Sequence, residues 1–152
     1  GPVTASASEA RLDLSGKYSG QWQRLRQVMA LFNVAMPKDI ELAGQTGGIV
    51  AVSGPVDYVT DGARGFRVAN GHPLMPRITV MGCSLNGVIA AFCAGAESPL
   101  AATAAALAAF GVAGEAAGQT AEGPGSFQPA FLDALHAITP EALDAAARVE
   151  AP

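Results

Sequence analysis

The stretch Ile49-Val50-Ala51-Val52-Ser53-Gly54-Pro55-Val56-Asp57-Tyr58-Val59-Thr60-Asp61-Gly62 decides the fold that the sequence predicts. Its first four residues form a continuous apolar run, which is typical of a strand buried on both faces. Ser53-Gly54-Pro55 breaks this strand, and residues 57–60 form a second one. Asp61-Gly62 is a hairpin-turn signal. The alternating pattern of Gly65–Ala69 predicts a third strand that pairs back across the turn.

Helical patterns follow the hairpin. Residues 77–80 predict a short strand or extended approach, and residues 81–84 form a junction into the first helix. Ser98 is a credible N-cap for the second helix, which has proline at its first position. The predicted helices are Leu85–Ala94, Pro99 to about Ala117, Phe127–Ile138 and one that opens at Thr139-Pro140. The combination of strands and packed helices indicates a mixed α/β layer architecture.

The first 46 residues differ from the rest of the chain in their pattern of apolar and polar residues. Apolar residues at helical spacing predict an amphipathic helix over Gln21–Phe32. Pro37 starts a second short helix that runs through Ala43. The 152-residue chain is long enough for one domain. We therefore expect a divergent N-terminal segment, residues 1–46, and a second region, residues 47–152, within a single domain.

The composition excludes some classes of protein. Half of the residues are hydrophobic, 14% are charged and the net charge is −4, so no basic face for nucleic acid is expected. The longest apolar stretches, Val88–Ala96 and Leu100–Ala113, are separated by Glu97-Ser98-Pro99 and predict buried helices rather than a membrane span. Cys83 and Cys93 show no metal-binding spacing and read as free thiols. With no signal peptide visible, we expect a cytoplasmic protein.

The stretch best suited to chemistry is Thr79–Gly87, which contains the junction of residues 81–84. A strand that enters a glycine turn and then a helix presents unpaired N–H groups and a partial positive charge to an anion. The same field favours a thiolate, so Cys83 could lie beside a reacting phosphate. The alternative reading is that Cys83 is a small buried residue that only packs.

A set of short motifs carries a family resemblance. In chain order they are Asp57-Tyr58-Val59-Thr60-Asp61-Gly62, Gly71-His72-Pro73-Leu74-Met75, Gly82-Cys83, Glu122-Gly123-Pro124-Gly125-Ser126-Phe127 and Phe131-Leu132-Asp133-Ala134-Leu135. From about residue 47 to 137, the chain resembles the nucleotide-binding half of the hydroxyethylthiazole kinases, a ribokinase-like family. The resemblance implies a partial ribokinase-like α/β sheet with a β-hairpin and several packed helices.

The resemblance also implies an activity. Members of this family transfer the γ-phosphate of ATP, accompanied by Mg²⁺, to the hydroxyl of 4-methyl-5-(2-hydroxyethyl)thiazole in thiamine salvage. They assemble as trimers. The implied partners are therefore a nucleotide, a small thiazole alcohol and further copies of the chain, with no nucleic acid or membrane.

The resemblance assigns roles to six residues. Cys83 matches the family cysteine that positions or deprotonates the attacking hydroxyl, and is the implied catalytic residue. Gly82 matches the glycine of the anion hole, while Val80 and Met81 stand where the family often has Gly-Thr. Ser53 stands where the family usually has a nucleotide-contacting threonine. Thr4 holds the position of a nucleotide-binding arginine in Thr4-Ala5-Ser6-Ala7-Ser8-Glu9.

No metal ligand is assigned, because Asp57 and Asp61 fit hairpin positions better than a metal site. Family members also have an N-terminal half that supplies most of the thiazole pocket, and this chain has no counterpart to it. A second hypothesis follows. The chain is then a truncated or engineered, non-catalytic half-domain that binds nucleotide or self-assembles, since an incomplete sheet exposes an edge strand.

Overall fold

The computed structural model describes residues 37–151. The predicted helix over Gln21–Phe32 and the nucleotide position Thr4 lie outside these residues. In chain order the elements are α1 (Pro37–Thr46), β1 (Val50–Val52), β2 (Asp57–Thr60), β3 (Gly65–Val68), a 3-10 helix (Met75–Arg77), α2 (Met81–Cys93), α3 (Pro99–Gly118), α4 (Pro124–Ala137), α5 (Pro140–Ala146) and β4 (Val149–Glu150).

The strands form one antiparallel sheet in the order β1-β2-β3-β4. The predicted hairpin is confirmed, with Val59 opposite Phe66 in the β2–β3 register. Asp61 shapes the turn, because its Oδ1 accepts hydrogen bonds from the backbone N–H groups of Ala63 (2.9 Å) and Arg64 (2.7 Å). Gly62 has a φ of +94°, a conformation that favours glycine.

The prediction for β1 was wrong in its burial. Of its three residues Val50 is buried, but Ala51 and Val52 are half-buried. Within the described residues β1 lies at the end of the sheet and pairs only with β2. A strand at such an edge has one row of backbone groups without a strand partner.

Helices cover both faces of the sheet. Successive side chains of a strand point to opposite faces, and the two faces meet different helices. Val59 and Val68 pack against Leu100 and Leu107 of α3. On the opposite face, Val50 and Val52 pack with Leu42 and Ala43 of α1.

Helix α3 is the central helix of the core. It begins as predicted, with Ser98 as N-cap accepting a hydrogen bond from the Ala101 N–H (3.3 Å), and ends at Gly118. By length and composition it is the one described helix that could cross a membrane, but 67% of its most apolar window is buried inside the fold. We interpret it as a core helix, since burial within the protein accounts for its composition.

Helix α2 differs most from its prediction. Residues 77–80 do not form a strand, because a 3-10 helix and a turn occupy this region, and α2 begins at Met81 inside the predicted junction. Val80 precedes it, and its carbonyl accepts hydrogen bonds from Ser84 N (2.9 Å) and Ser84 Oγ (3.2 Å). Although apolar, α2 has no buried residue, so the prediction of a buried helix was wrong. Its Phe92 side chain is 39% exposed.

The last two helices pack on different parts of the core, α4 on the cluster around Phe110 and α5 on the cluster beside the sheet. Helix α4 starts three residues before its predicted start, because Pro124 takes the first position and Ser126 Oγ accepts from the Glu122 N–H (3.0 Å). Its Phe127 and Phe131 are buried, and Phe131 meets Phe110 of α3 edge to face at 4.8 Å between ring centroids. Thr139 caps α5 by accepting from the Ala142 N–H (3.2 Å), as predicted.

Candidate functional site

A cleft of about 610 Å³ opens between the start of β2, the N-terminus of α2 and the middle of α3. Its residues come from four parts of the chain. They are Ser53, Gly54, Pro55 and Asp57; Asn70, Gly71, His72, Pro73, Met75 and Pro76; Met81, Gly82 and Leu85; and Leu107, Phe110 and Gly111. Most of the lining is apolar, and it also contains a hydroxyl, an amide and a carboxyl group. This combination is typical of a small-molecule site.

The cleft brings together three of the residues that the sequence singled out. Ser53, Met81 and Gly82 all line it, although Ser53 is 29 positions from Gly82 along the chain. Cys83 follows Gly82 in the first turn of α2 and is exposed, but is not part of the lining. Val80 also lies outside the lining. The predicted site is therefore assembled in part.

The N-terminus of α2 offers donors to this cleft. The first backbone hydrogen bond of the helix is donated by Ser84, so the N–H groups of Met81, Gly82 and Cys83 precede the intrahelical ladder. A Cβ atom built at Gly82 would meet nothing within 4 Å. The glycine is therefore not required by packing, and it leaves the backbone open to a ligand.

Val80 is strained. Its φ of 70° and ψ of 4° are left-handed, and within residues 37–151 it is the only non-glycine residue with positive φ. A left-handed conformation costs an L-residue roughly 1–2 kcal/mol, and a β-branched residue is an outlier there. Glycine would adopt this conformation without strain. Strained backbone clusters at functional sites.

Asp57 lies in the cleft and is buried. Its Oδ1 accepts a hydrogen bond from the Gly54 N–H (2.8 Å), so it holds the turn that follows Ser53. Burial raises the pKa of Asp57 to about 6, and the bond from Gly54 only partly offsets this. Within residues 37–151, no group of three His, Cys, Asp or Glu side chains could hold a metal ion.

The loop of residues 70–76 lies directly on α3 at three glycines of that helix. Cβ atoms built at Gly111, Gly114 and Gly118 would collide with Asn70, Met75 and His72 respectively. The i, i+3, i+7 spacing of these glycines places them on one face. Sequence reasoning missed this contact, although the spacing was a signal that could have revealed it.

Asn70, which is 5% exposed, connects three parts of the chain. Its Oδ1 accepts from the Arg148 N–H (2.7 Å), and its Nδ2 donates to the Ala146 carbonyl (3.0 Å) and to Glu115 Oε2 (3.3 Å). The Glu115 carboxylate also accepts from the Gly71 N–H (2.8 Å) and is ion-paired with Arg148. Partial burial opposes ionisation of Glu115, but the bonds from Arg148, Gly71 and Asn70 outweigh it and lower its pKa.

His72 is held by aromatic packing and by the loop itself. Its ring stacks on Phe127 at 5.6 Å between centroids, and its Nδ1 accepts from the Leu74 N–H (3.3 Å). With one nitrogen engaged and one ring face covered, His72 acts as a structural part of the cleft wall.

A smaller cleft of about 380 Å³ lies beside the β2–β3 hairpin and α1. It is lined by residues such as Asp39, Tyr58 and Arg64, and by none of the predicted site residues. The larger cleft is therefore the candidate site.

The residues of the larger cleft fit a nucleotide phosphate. Free N–H donors, an open glycine and the Ser53 hydroxyl are groups that bind phosphate oxygens. A magnesium site is not evident among residues 37–151, because Asp57 already accepts a bond from Gly54 and no carboxylate cluster surrounds it.

Comparison with known proteins identifies the fold. A solved structure of a hydroxyethylthiazole kinase protein from Pyrococcus horikoshii matches with a TM-score of 0.76 and 38% identity, over 82% of this chain and 51% of that one. The fold is thus part of a ribokinase-like α/β kinase.

The sequence comparisons agree. The model of the hydroxyethylthiazole kinase family matches residues 28–141. A hydroxyethylthiazole kinase from Cereibacter sphaeroides is 67% identical over 110 residues, which cover 72% of this chain and 42% of that protein. One from Rhizobium rhizogenes is 45% identical over 97% of this chain and 54% of its own length. The chain belongs to the hydroxyethylthiazole kinase family, and it spans about half the length of these relatives.

Proposed function

We propose that this chain is the nucleotide-binding half of a kinase that transfers the γ-phosphate of ATP to the hydroxyl of 4-methyl-5-(2-hydroxyethyl)thiazole. The observation that carries the proposal is the meeting of Ser53, Met81 and Gly82 in one cleft at the N-terminus of α2. Helix N-termini bind phosphate because unpaired N–H groups and the helix dipole both favour negative charge.

Each group has a distinct part in the proposed chemistry. The N–H groups of Met81, Gly82 and Cys83 donate hydrogen bonds to the oxygens of the transferring phosphoryl group, and the Ser53 hydroxyl donates to another phosphate oxygen. Cys83 is the candidate that positions or deprotonates the attacking hydroxyl, because it adjoins these donors and its side chain is exposed. Mg²⁺ would neutralise phosphate charge when bound; its ligands would come from outside residues 37–151.

Two surfaces support the proposal that further protein completes the site. Helix α2 is apolar but has no buried residue, and β1 has an open edge within the described residues. Both are features that a larger sheet would cover. We therefore propose that the thiazole pocket comes from the part of the family protein that this chain does not span, within a cytoplasmic trimer as the family resemblance implies.

The proposal is tested by reconstitution. The chain is co-expressed with the half of the Cereibacter sphaeroides relative that it does not span, and the complex is incubated with ATP, Mg²⁺ and the thiazole alcohol. We expect a phosphorylated alcohol. Cys83→Ala should lower the rate by about a hundredfold or more, the usual effect of losing a general base.

Cys93→Ala is the matched control. Cys93 lies on the same helix, but its Sγ faces Thr103 Oγ1 (3.5 Å) and the Pro99 carbonyl (3.8 Å), away from the cleft. It should keep most of the activity. A complex that forms but yields no product would contradict the kinase proposal, and equal rates for the two variants would contradict the role of Cys83.

The same two surfaces also favour a second candidate, a non-catalytic half-domain that binds nucleotide or assembles with itself. The comparisons favour the kinase. The two are separated by sedimentation of the chain alone and then with the complementary half. The second candidate would be supported if the chain forms a homo-oligomer that persists when the complementary half is added.

A further inference from the structure

We propose that Glu115 is a positioning residue for the nucleotide cleft, which it shapes from outside by fixing the loop of residues 70–76. The inference rests on the proposed function, since it concerns the same cleft. Six of the sixteen residues that line the cleft belong to this loop, whereas Glu115 itself does not line it. Glu115 instead bonds Asn70 and Gly71, two loop residues that do line the cleft.

The first step is the contact between Glu115 and the start of the loop. Its Oε1 accepts from the Gly71 N–H at 2.8 Å, and its Oε2 lies 3.3 Å from the donor Nδ2 of Asn70. The next residues, from His72 on, form the cleft wall. One carboxylate thus holds the loop at the point where it leaves β3.

The second step is the contact behind Glu115. Its carboxylate is ion-paired with Arg148, whose Nη2 also donates to the Ala69 carbonyl at 2.8 Å. The backbone of Arg148 is fixed as well, because its N–H bonds to Asn70 Oδ1 (2.7 Å). Arg148 immediately precedes β4, which pairs with β3. The carboxylate therefore ties the loop to both α3 and the final strand.

The third step is why such bonds are needed. Because the loop rests on Gly111, Gly114 and Gly118, no α3 side chain at these points interlocks with it. Leu74 and Met75 pack against Phe110 and other apolar residues of α3, but such contacts are not directional and set the register of the loop along the helix only loosely. Directional hydrogen bonds to a charged acceptor supply that register. The loop residues that line the cleft are then held at a fixed position relative to α3.

The test compares Glu115→Gln with Asp61→Asn. Asp61 is a matched control, because it too accepts backbone bonds and pairs with an arginine, Arg64, but it lies in the hairpin turn outside the larger cleft. Amide hydrogen exchange of both variants is measured, together with ADP affinity by calorimetry and the melting temperature. Glu115→Gln should speed exchange at the amides of Gly71, Leu74 and Met75 by about tenfold or more, and weaken ADP binding by a similar factor, as expected for loss of a charged hydrogen-bond acceptor.

Asp61→Asn should speed exchange only at the Ala63 and Arg64 amides and leave ADP affinity within about twofold. A milder variant, Arg148→Lys, keeps the charge but loses the paired guanidinium contacts, and should give a smaller change of the same kind if Glu115→Gln does not fold.

The outcomes separate this inference from the proposed function. Unchanged exchange at residues 71–75 in Glu115→Gln overturns the inference, whether or not the chain binds ADP. If the wild type does not bind ADP but Glu115→Gln still shows faster exchange, the control of the loop by Glu115 is supported and the nucleotide site is contradicted. Faster exchange with ADP affinity equal to that of Asp61→Asn shows that Glu115 stabilises the fold alone, and overturns its role in positioning.

Discussion

Gly111 of α3 and Asn70 of the cleft loop are in such close contact that a Cβ atom built on the glycine would lie 2.6 Å from the Cβ of Asn70 and 2.7 Å from its backbone carbon. The backbone of Asn70 cannot move away from an added Cβ atom, whereas the end of a flexible side chain could. The same asparagine is fixed from the other side by Arg148 and Ala146. The contact therefore leaves room for glycine alone.

Gly111→Ala should lower the free energy of unfolding by about 1–3 kcal/mol, because overpacking outweighs the helix propensity that alanine gains. Gly87→Ala on α2 is the control, since nothing lies within 4 Å of a Cβ atom built there. It should raise stability by up to about 1 kcal/mol. Urea unfolding measures both. Equal stability of the two variants would show that the loop does not rest on α3 as described.

Val80→Gly should raise stability by about 1 kcal/mol, because glycine adopts the left-handed conformation of this residue without strain. Ala90→Gly on the exposed side of the same helix tests the opposite case and should cost about 1 kcal/mol. The midpoints of urea unfolding, compared at constant m-value, measure the change in stability of both variants. A destabilised Val80→Gly would mean that α2 does not begin with this strained residue.

Asp57 should make stability depend on pH. Its pKa is raised from 3.8 to about 6 in the folded chain, so between these values the folded state binds more protons than the unfolded state. The free energy of unfolding should then fall as pH rises from about 4 to about 6. Asp57→Asn is always neutral and can still accept the bond from Gly54. Relative to wild type it should gain stability across this range, by up to about 3 kcal/mol at pH 7.

The difference between wild type and Asp57→Asn isolates this carboxyl. Other groups titrate in the same range, and Glu115, whose pKa is lowered, changes stability in the opposite direction. Thermal unfolding at pH 4, 5, 6 and 7 gives the comparison. A difference that does not vary with pH would contradict the burial of Asp57.

Sequence patterns predict the local features of this fold well. The Asp61-Gly62 turn, the alternation of its flanking strands, the Ser98 and Thr139 caps and the prolines that follow them all depend on neighbouring residues, and the structure agrees with each. Gly82 was also singled out from sequence, by its place in the turn before a helix, and Ser53 through the family resemblance.

Other features depend on residues far apart and carry no local signal. Asn70 bonds Glu115 across 45 positions and Arg148 across 78. The start of α2 was misplaced, because Gly82 and Cys83 are poor helix formers and the strain at Val80 cannot be read from its residue type. The burial of α2 was misjudged because its apolar residues predict a buried helix, whereas the described residues cover only part of it.

Titration with ADP tests the central claim most directly, that phosphate binds at the N-terminus of α2 in the larger cleft. Calorimetry should give micromolar binding to the wild type and to Gly87→Ala, and binding weakened by about tenfold or more in Gly82→Ala. At neither position would an added Cβ meet another part of the fold within 4 Å, but only Gly82 lines the cleft. Absence of binding to the wild type, or equal affinity of the two variants, would contradict the account.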